Sequence, residues 1–491
     1  VSGDAEPLRQ PDRWLAPVLA IVAVVVCYTF FAGGGKFEFR RLRNPDDSYY
    51  ASLAEGFFRG HLYMALTPDP RLVALPYPYD VTTRVDISYL WDGSYLNGRY
   101  YLYSSPLPVL LCYMPFRILC RAYPPDILVA LIFSVWAFLV MVAFARRALT
   151  LTGQRLHIPF ALWVLFIGLG NVATFVLNTI HMYEVAILTG MAMTATWAYA
   201  SLRFSEAPSV RRGVWMNVWL ALAIAARPNL GVLLLVTAVM LVVAARRKRP
   251  SVRETLAVMA PLAIVAVAML WYNAARFGNP LEFGVRYQLT SIPMENRKVC
   301  SLCTFPELTR FGNNVMHYVF WPLHIQSAFP FLDAMSARMD RATAWPTPQG
   351  MTEQIIGIAP VAPLMILGTL LAVLQMLGFG RSERNRGTEA ALHVMTGAWL
   401  ILLGLSACWW IVARYSLDFM MLMGGAAVII IEAGLTSLQA AGVRIVPLRL
   451  IVASLACYSI LTGFLLGYVG PGDAFRQASP AVFRMISDWL K

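Results

Sequence analysis

The sequence predicts an all-α polytopic membrane protein, a bundle of about 11 to 13 transmembrane helices at about 20 apolar residues per span. Three observations carry this reading. Of 491 residues, 58% are hydrophobic and only 14% are charged, whereas a soluble domain carries roughly 25% charged residues. The mean hydropathy is +0.59, and apolar runs recur along the whole chain. Short basic clusters separate those runs, which is what the positive-inside bias of membrane proteins produces. The net charge of +13 therefore points to the membrane and not to nucleic acid.

Taken in order, the first apolar run is Leu15 to Ala32, and no cleavage site follows it, so it reads as a retained helix. Further runs begin near Ile127, Ile158, Met182, Gly213, Leu230, Thr255, Ile358, Ala391, Tyr415 and Leu450. That makes about eleven spans. Region 213–245 reads as two short crossings joined at "RPN" or as one broken helix. The run 106–120, "PLPVLLCYMPFRILC", is short and holds three prolines, so a re-entrant or membrane-surface helix is expected there. The clusters "FARRALTLTGQR", "RFSEAPSVRRG", "ARRKRPSVRE", "GRSERNRG" and "GVRIVPLR" belong on the cytoplasmic side, with Arg9 and Arg13 of the amino terminus. These placements agree when 106–120 does not cross and the carboxyl terminus lies outside.

The chain reads as a single transmembrane domain, 1–491, with two large outer segments at 33–105 and 277–356. Both are rich in aromatic residues, Pro and Gly, and are expected to lie against the membrane. "SYLNGRYYLY" predicts a small hairpin, because Asn97-Gly98 is a type I′ turn signal between aromatic strands. "DDSYYASLAEGFF" predicts a short helix with Asp46 or Asp47 near its amino end. No repeat of fixed period is visible. Cys27, Cys112, Cys408 and Cys457 lie in apolar runs and pack as small hydrophobes. Cys300 and Cys303 form a CxxC in a polar loop, read as a local disulfide or two free thiols, since zinc would need two further ligands.

The polar residues gather at outer helix boundaries. Asp46 and Asp47 follow the first helix, with Tyr49, Tyr50, Phe57 and Phe58 beside them. A helix cap needs one carboxylate, so an adjacent pair points to a general base at the membrane surface. "NTIHMYEVAI" contributes His181, Tyr183 and Glu184, and "AIAARPNLG" contributes Arg227. "WYNAARFGNPLEFGVRYQ" contributes Asn273, Arg276, Glu282, Arg286 and Tyr287. "CWWIVARYSLDFMM" contributes Trp409, Trp410, Arg414, Tyr415 and Asp418. The i, i+4 spacing of Arg414 and Asp418 also allows a structural pair between them, as the alternative to a role in binding. Acids, arginines and aromatic rings on one face suit a substrate with a phosphate, a sugar and a lipid tail, because arginine binds phosphate in a planar fork.

"PDDSYYASLAEGFFRGHL" resembles the acidic motif that follows the first helix in the GT-C superfamily of integral membrane glycosyltransferases, which use polyprenyl-phosphate sugars. The protein O-mannosyltransferases and the aminoarabinose transferases of lipid A belong to that group. "GRYYLYSSPLPVLL", "AARPN", "YNAARFGNPLEFG" and "RYSLDF" are similar to later boundaries in bacterial members. The second acid here is Asp47 where many members carry Glu, and the large soluble carboxyl-terminal domain of oligosaccharyltransferases is missing. The resemblance implies a GT-C-like bundle and an inverting transfer of sugar from a polyprenyl-phosphate donor to an acceptor hydroxyl on a sugar, lipid or protein. Asp46 would be the base, with Asp47 a supporting acid or the base itself. Tyr50, His181, Tyr183, Glu184, Arg227, Arg276, Glu282, Arg286, Tyr287, Arg414, Tyr415 and Asp418 would bind substrate, with Arg227, Arg276 or Arg414 on the leaving phosphate. The chemistry requires no cofactor, and the sequence shows no compact metal cluster. The implied setting is a bacterial inner membrane, with the site on the periplasmic face and a role in modifying cell-envelope polysaccharide.

Two other classes fit the sequence less well. A transporter or flippase of a lipid-linked substrate is also polytopic, but such proteins usually show internal repeats and interrupted helices at the midplane. Here the polar residues lie at one face. An acyl- or phosphoethanolamine-type transferase would lead one to expect a His-Asp pair or a large metal-binding domain, and neither is visible.

Overall fold

A computed structural model describes residues 15–39, 44–153, 155–247, 249–291, 293–294, 308–334, 354–378, 385–408 and 411–490. Cys300, Cys303, Trp409 and Trp410 lie outside the described residues. Eight helices among these residues are long and apolar enough to cross a membrane: Leu15–Ala32, Asp126–Thr152, Met182–Glu206, Pro228–Arg247, Val252–Phe277, Arg386–Ser406, Ala413–Ala440 and Val446–Ala478. Strand structure among them amounts to two small hairpins. The protein is an all-α polytopic membrane protein.

Three of the segments in the sequence count of about eleven are shorter helices than these eight. Val210–Ala226 has 17 residues, and Phe160–Leu169 and Pro363–Met376 are shorter still. At 1.5 Å per residue the Phe160 helix is only about 15 Å long, half the ~30 Å of a bilayer core. It stops at Gly170, and a four-residue helix, Ala173–Val176, follows. Asn171 satisfies the break: its amide donates to the Ile167 and Gly168 carbonyls, and its Oδ1 accepts from Ala173 N at 2.8 Å. Region 213–245 is two helices joined by the 3₁₀ turn Pro228–Val232.

The Val446 helix crosses that break in close contact. A Cβ on Gly463 would lie 1.7 Å from the Leu169 carbonyl oxygen, so only glycine fits. The Thr174 hydroxyl donates to the Gly463 carbonyl, and Asn178 donates to Gly467 O at 2.8 Å. Gly463→Leu is expected to cost more than the roughly 1–3 kcal/mol of ordinary overpacking, because backbone cannot yield as a side chain can. The expected result is loss of the monodisperse gel-filtration peak. Gly231→Ala, with open space around it, should keep that peak.

Charge sorts the two ends of the bundle. At one end Arg147 Nε donates to Glu206 Oε1 at 2.7 Å, and Arg212 donates to the Arg203 carbonyl at 2.8 Å. The start of the Phe160 helix lies at this arginine face. Glu432 accepts there from His157 N (2.8 Å), Ile158 N (3.0 Å) and Trp163 Nε1 (2.8 Å). Two of these donors are backbone groups just ahead of the helix and the third is an indole N–H within it, and buried donors of either kind need an acceptor. Arg449 Nε closes the corner on the His157 carbonyl at 2.8 Å.

The opposite, loop face is a layer of segments tied to one another. The predicted hairpin forms in register Ser94↔Tyr101, Tyr95↔Tyr100 and Leu96↔Arg99. Asn97 and Gly98 both have positive φ, 51° and 73°, as a type I′ turn requires. Ser94 bridges to Gln288, and Asp92 N donates to Leu289 O at 3.0 Å, so the segment before the hairpin meets the one that follows the Val252–Phe277 helix. The helical run Val109–Cys120 follows the hairpin and precedes Asp126 on this same face. It presents Leu110, Leu111, Ile118 and Leu119 outward. At about 18 Å it is too short to cross, and it fits a membrane-surface helix.

Candidate functional site

The acidic pair is not a helix cap. Pro45–Asp47 form a short 3₁₀ turn opened by Asn44, whose Oδ1 accepts from Asp46 N at 3.1 Å. The helix that follows, Tyr49–Phe58, is capped by Ser48, whose hydroxyl accepts from Ala51 N. The predicted short helix forms with Asp46 and Asp47 near its amino end, and the serine that follows them, not either acid, caps it. Both carboxylates are exposed.

Ser48 also fixes the turn in space. Its hydroxyl donates to Asp126 Oδ1 at 2.6 Å, and Tyr113 donates to the same oxygen at 2.5 Å. Asp126 is the first residue of its spanning helix. Two residues after Ser48, Tyr50 is buried, stacked on Tyr113 at 5.5 Å. Its hydroxyl donates to the Met182 carbonyl at 2.9 Å and lies 3.1 Å from Ser104 Oγ. Burial pushes the Tyr50 phenol well above its ordinary range, so it acts as a neutral pin. The acidic turn is thereby docked on the starts of two spanning helices.

Around the start of the Met182 helix the predicted polar residues converge. Exposed His181 precedes it, and the His181 amide donates to Glu184 Oε2 at 2.8 Å. Glu184 is buried, and its Oε1 lies 3.5 Å from Arg414 Nε. The Arg414 guanidinium stands 4.9 Å from the Tyr183 ring centre and 5.7 Å from that of Tyr415. The Tyr183 hydroxyl donates to Asp92. Arg227 lies over Tyr415 at 5.0 Å, and its Nε is 3.0 Å from Asp418 Oδ2. Asn229 donates to the same oxygen at 3.2 Å. Arg227 packs its stem over Gly190, where a Cβ would come within 3.2 Å of its Cδ. Burial raises the phenol of Tyr103, which stands among Tyr415, Asp92, Arg414 and Tyr50.

Arg414 and Asp418 do not pair with each other, so the structural alternative does not hold here. Arg414 sits in the 3₁₀ turn Ala413–Ser416, and the helix starts at Leu417. The i, i+4 geometry that would bring the two together therefore does not run through this stretch. Asp418 turns to Arg227, and Arg414 turns to Glu184.

The residues at and beyond the end of the Val252–Phe277 helix have other neighbours. Arg276 is buried, and its Nη1 donates to Leu102 O at 2.7 Å and its Nη2 to Asn273 Oδ1 at 2.7 Å. Glu282 accepts from Gly284 N at 2.7 Å, Arg286 is exposed, and Tyr287 stacks on Phe277 at 5.6 Å. Two acids at the convergence were missed in the sequence. Asp126 follows "YPP" and looks like an ordinary helix start, and Asp92 stands in a "WDG" turn. Their partners lie 78 and 91 residues away, and no local pattern marks such contacts. Among the described residues no three His, Cys, Asp or Glu side chains form a metal-ligand group.

No protein-family model and no curated protein matches the chain. Among solved structures the chain is similar to the crystal structure of ArnT from Cupriavidus metallidurans bound to undecaprenyl phosphate, at 13% identity and a TM-score of 0.43, over 97% of this chain and 79% of that one.

Proposed function

We propose that the protein is an inverting glycosyltransferase that moves a sugar from a polyprenyl-phosphate donor to an acceptor hydroxyl at the loop face, which is the outer side of the membrane. One observation carries the reading. Two adjacent carboxylates, released from capping by Ser48, stand exposed on a turn pinned to the starts of two spanning helices, in the layer that holds the two arginine–carboxylate pairs.

Asp46 removes the proton from the acceptor hydroxyl, with Asp47 as its support or substitute. The acceptor oxygen attacks the anomeric carbon from the side opposite the phosphate. The bond from that carbon to the phosphate oxygen breaks, and lipid phosphate leaves with the electron pair, inverting the centre. Arg227 and Arg414 stabilise the developing phosphate charge. Arg227 faces Asp418 through Nε, and a guanidinium carries five donors, so its Nη groups can reach a phosphate. Arg276 instead holds the Leu102 carbonyl and supports the layer. His181, Tyr183, Glu184 and Tyr415 surround the sugar and phosphate, while Glu282, Arg286 and Tyr287 border the site from the second outer segment. The purified protein, mixed with a panel of polyprenyl-phosphate sugars, should release polyprenyl phosphate by mass spectrometry from at least one of them. No release from any, with transport of the intact lipid-linked sugar in vesicles, would support the transporter reading instead.

Asp126 is given a positioning role. Asp126→Asn keeps an oxygen to accept from Ser48 and Tyr113, and turnover should stay close to wild type. Asp126→Ala strands both hydroxyls, at about 1–3 kcal/mol, and turnover should fall about tenfold or more. If Asn is as inactive as Ala, Asp126 acts through its charge and not as an anchor. For sidedness, a Cys placed at Arg211 or Arg246 should resist an impermeant reagent in intact cells, and one placed at Gly98 should react.

A further inference from the structure

At the arginine face, away from the candidate site, a small cavity that is open to its surroundings lies among Phe204, Met240, Val243, Arg247, Glu389 and His393. It lies between the ends of the Met182–Glu206 and Pro228–Arg247 helices and the start of the Arg386 helix. One wall is apolar, and the charged groups stand at its rim.

The charges of this region do not cancel in the usual way. Glu206 holds Arg147 at 2.7 Å and Arg203 at 3.3 Å, so those two cations are committed. Arg247 and Glu389 form no ion pair with any described residue, nor with each other, although both line the cavity. His393, one turn beyond Glu389 on the same helix face, has a buried Nδ1 without a hydrogen-bond partner. Buried polar atoms are normally satisfied. A cation and an anion that line one cavity without pairing, with an unpartnered ring nitrogen one helix turn from the anion, match a ligand that carries both signs.

We infer that this cavity binds the headgroup of an ethanolamine phospholipid from the leaflet at the arginine face. Arg247 takes the phosphate. Glu389 takes the primary ammonium, and His393 Nδ1 accepts one of its hydrogens. The apolar wall of Phe204, Met240 and Val243 carries the glycerol and first methylenes, so the ligand is a lipid and not a free zwitterion. Glu389 repels a purely anionic headgroup, and a choline headgroup has no N–H to donate.

The test is native mass spectrometry of the full-length protein in detergent, titrated separately with phosphatidylethanolamine, phosphatidylglycerol and phosphatidylcholine of the same acyl chains. Occupancy should be about fivefold or more higher for the ethanolamine lipid, the scale of one charge-assisted hydrogen bond. Glu389→Gln should remove that preference, and Arg247→Gln should lower binding of all three lipids. Mono- and dimethylated ethanolamine lipids, tested on the wild type, should bind progressively less, which keeps the proposal testable if a variant does not fold. Equal occupancy by the three lipids, or an unchanged preference in Glu389→Gln, overturns it. Displacement of the lipid by an equal concentration of glycerophosphoethanolamine overturns the lipid assignment in favour of a soluble zwitterion.

Discussion

Replacing both Asp46 and Asp47 by Asn is expected to reduce sugar transfer by about 10²- to 10⁴-fold, the usual cost of a missing general base. The fold should be unaffected. Asn keeps the shape of Asp, both side chains are exposed, and the helix beside them is capped by Ser48. Thermal unfolding and donor binding should match wild type while polyprenyl phosphate release falls. The single variants identify which acid is the base, since the larger loss marks it. A double variant with normal turnover and normal stability would show that the pair is only a solvated turn. Ser48→Ala behaves differently: it removes a cap worth about 0.5–2 kcal/mol and the hydroxyl on Asp126, so stability and turnover should fall together.

The second large effect concerns Arg227 and Asp418. Asp418 is buried with its carboxylate 3.0 Å from the Arg227 guanidinium. Removing one partner of a buried pair typically costs about 3–5 kcal/mol, because the other charge is left uncompensated. Arg227→Ala alone should therefore unfold much of the protein, and donor binding could not be read from it. Arg227→Gln combined with Asp418→Asn removes both charges and keeps hydrogen-bonding groups at both positions. That double variant should recover most of the stability and still bind a polyprenyl-phosphate donor at least tenfold more weakly than wild type, a difference of about 1.4 kcal/mol. Stability read by thermal unfolding and affinity read by donor titration separate the two roles. Recovered stability with unchanged donor affinity would assign the pair to structure alone.

Much of the architecture is legible in the hydrophobic runs. The reading placed spans near Leu15, Ile127, Met182 and Thr255, and helices start at Leu15, Asp126, Met182 and Val252. Asn97-Gly98 gave the hairpin because a type I′ turn is a local requirement. What the sequence leaves unread shares a cause. The i, i+4 spacing of Arg414 and Asp418 brings them together only on a continuous helix, and a 3₁₀ turn intervenes. The segments read from Ile158 and Ile358 are short or broken helices, because hydropathy reports composition and not where a helix breaks. Asp126 escaped notice because its role depends on Ser48 and Tyr113, and Ser48 is remote in sequence. The candidate site was thus legible in residue type and boundary position, while the partners within it were set by contacts the sequence does not spell out.

The Glu432 junction has a consequence for how the protein is made. The Phe160 helix covers only half a bilayer, and the groups at its start find their acceptor on a carboxylate 274 residues downstream. A nascent chain that has emerged only as far as the Arg386 helix has no Glu432 to receive His157 N, Ile158 N and Trp163 Nε1. Its third hydrophobic segment must wait, half-inserted or held by the insertion machinery, until translation delivers the helix that begins at Leu417. Biogenesis therefore has an obligatory late step, at which the amino-terminal half is locked by the carboxyl-terminal half. Ribosome-bound intermediates truncated before residue 432 should leave a Cys at His157 open to a membrane-impermeant thiol reagent added from the ribosome side, and intermediates that have exposed the whole Leu417–Ala440 helix should protect it.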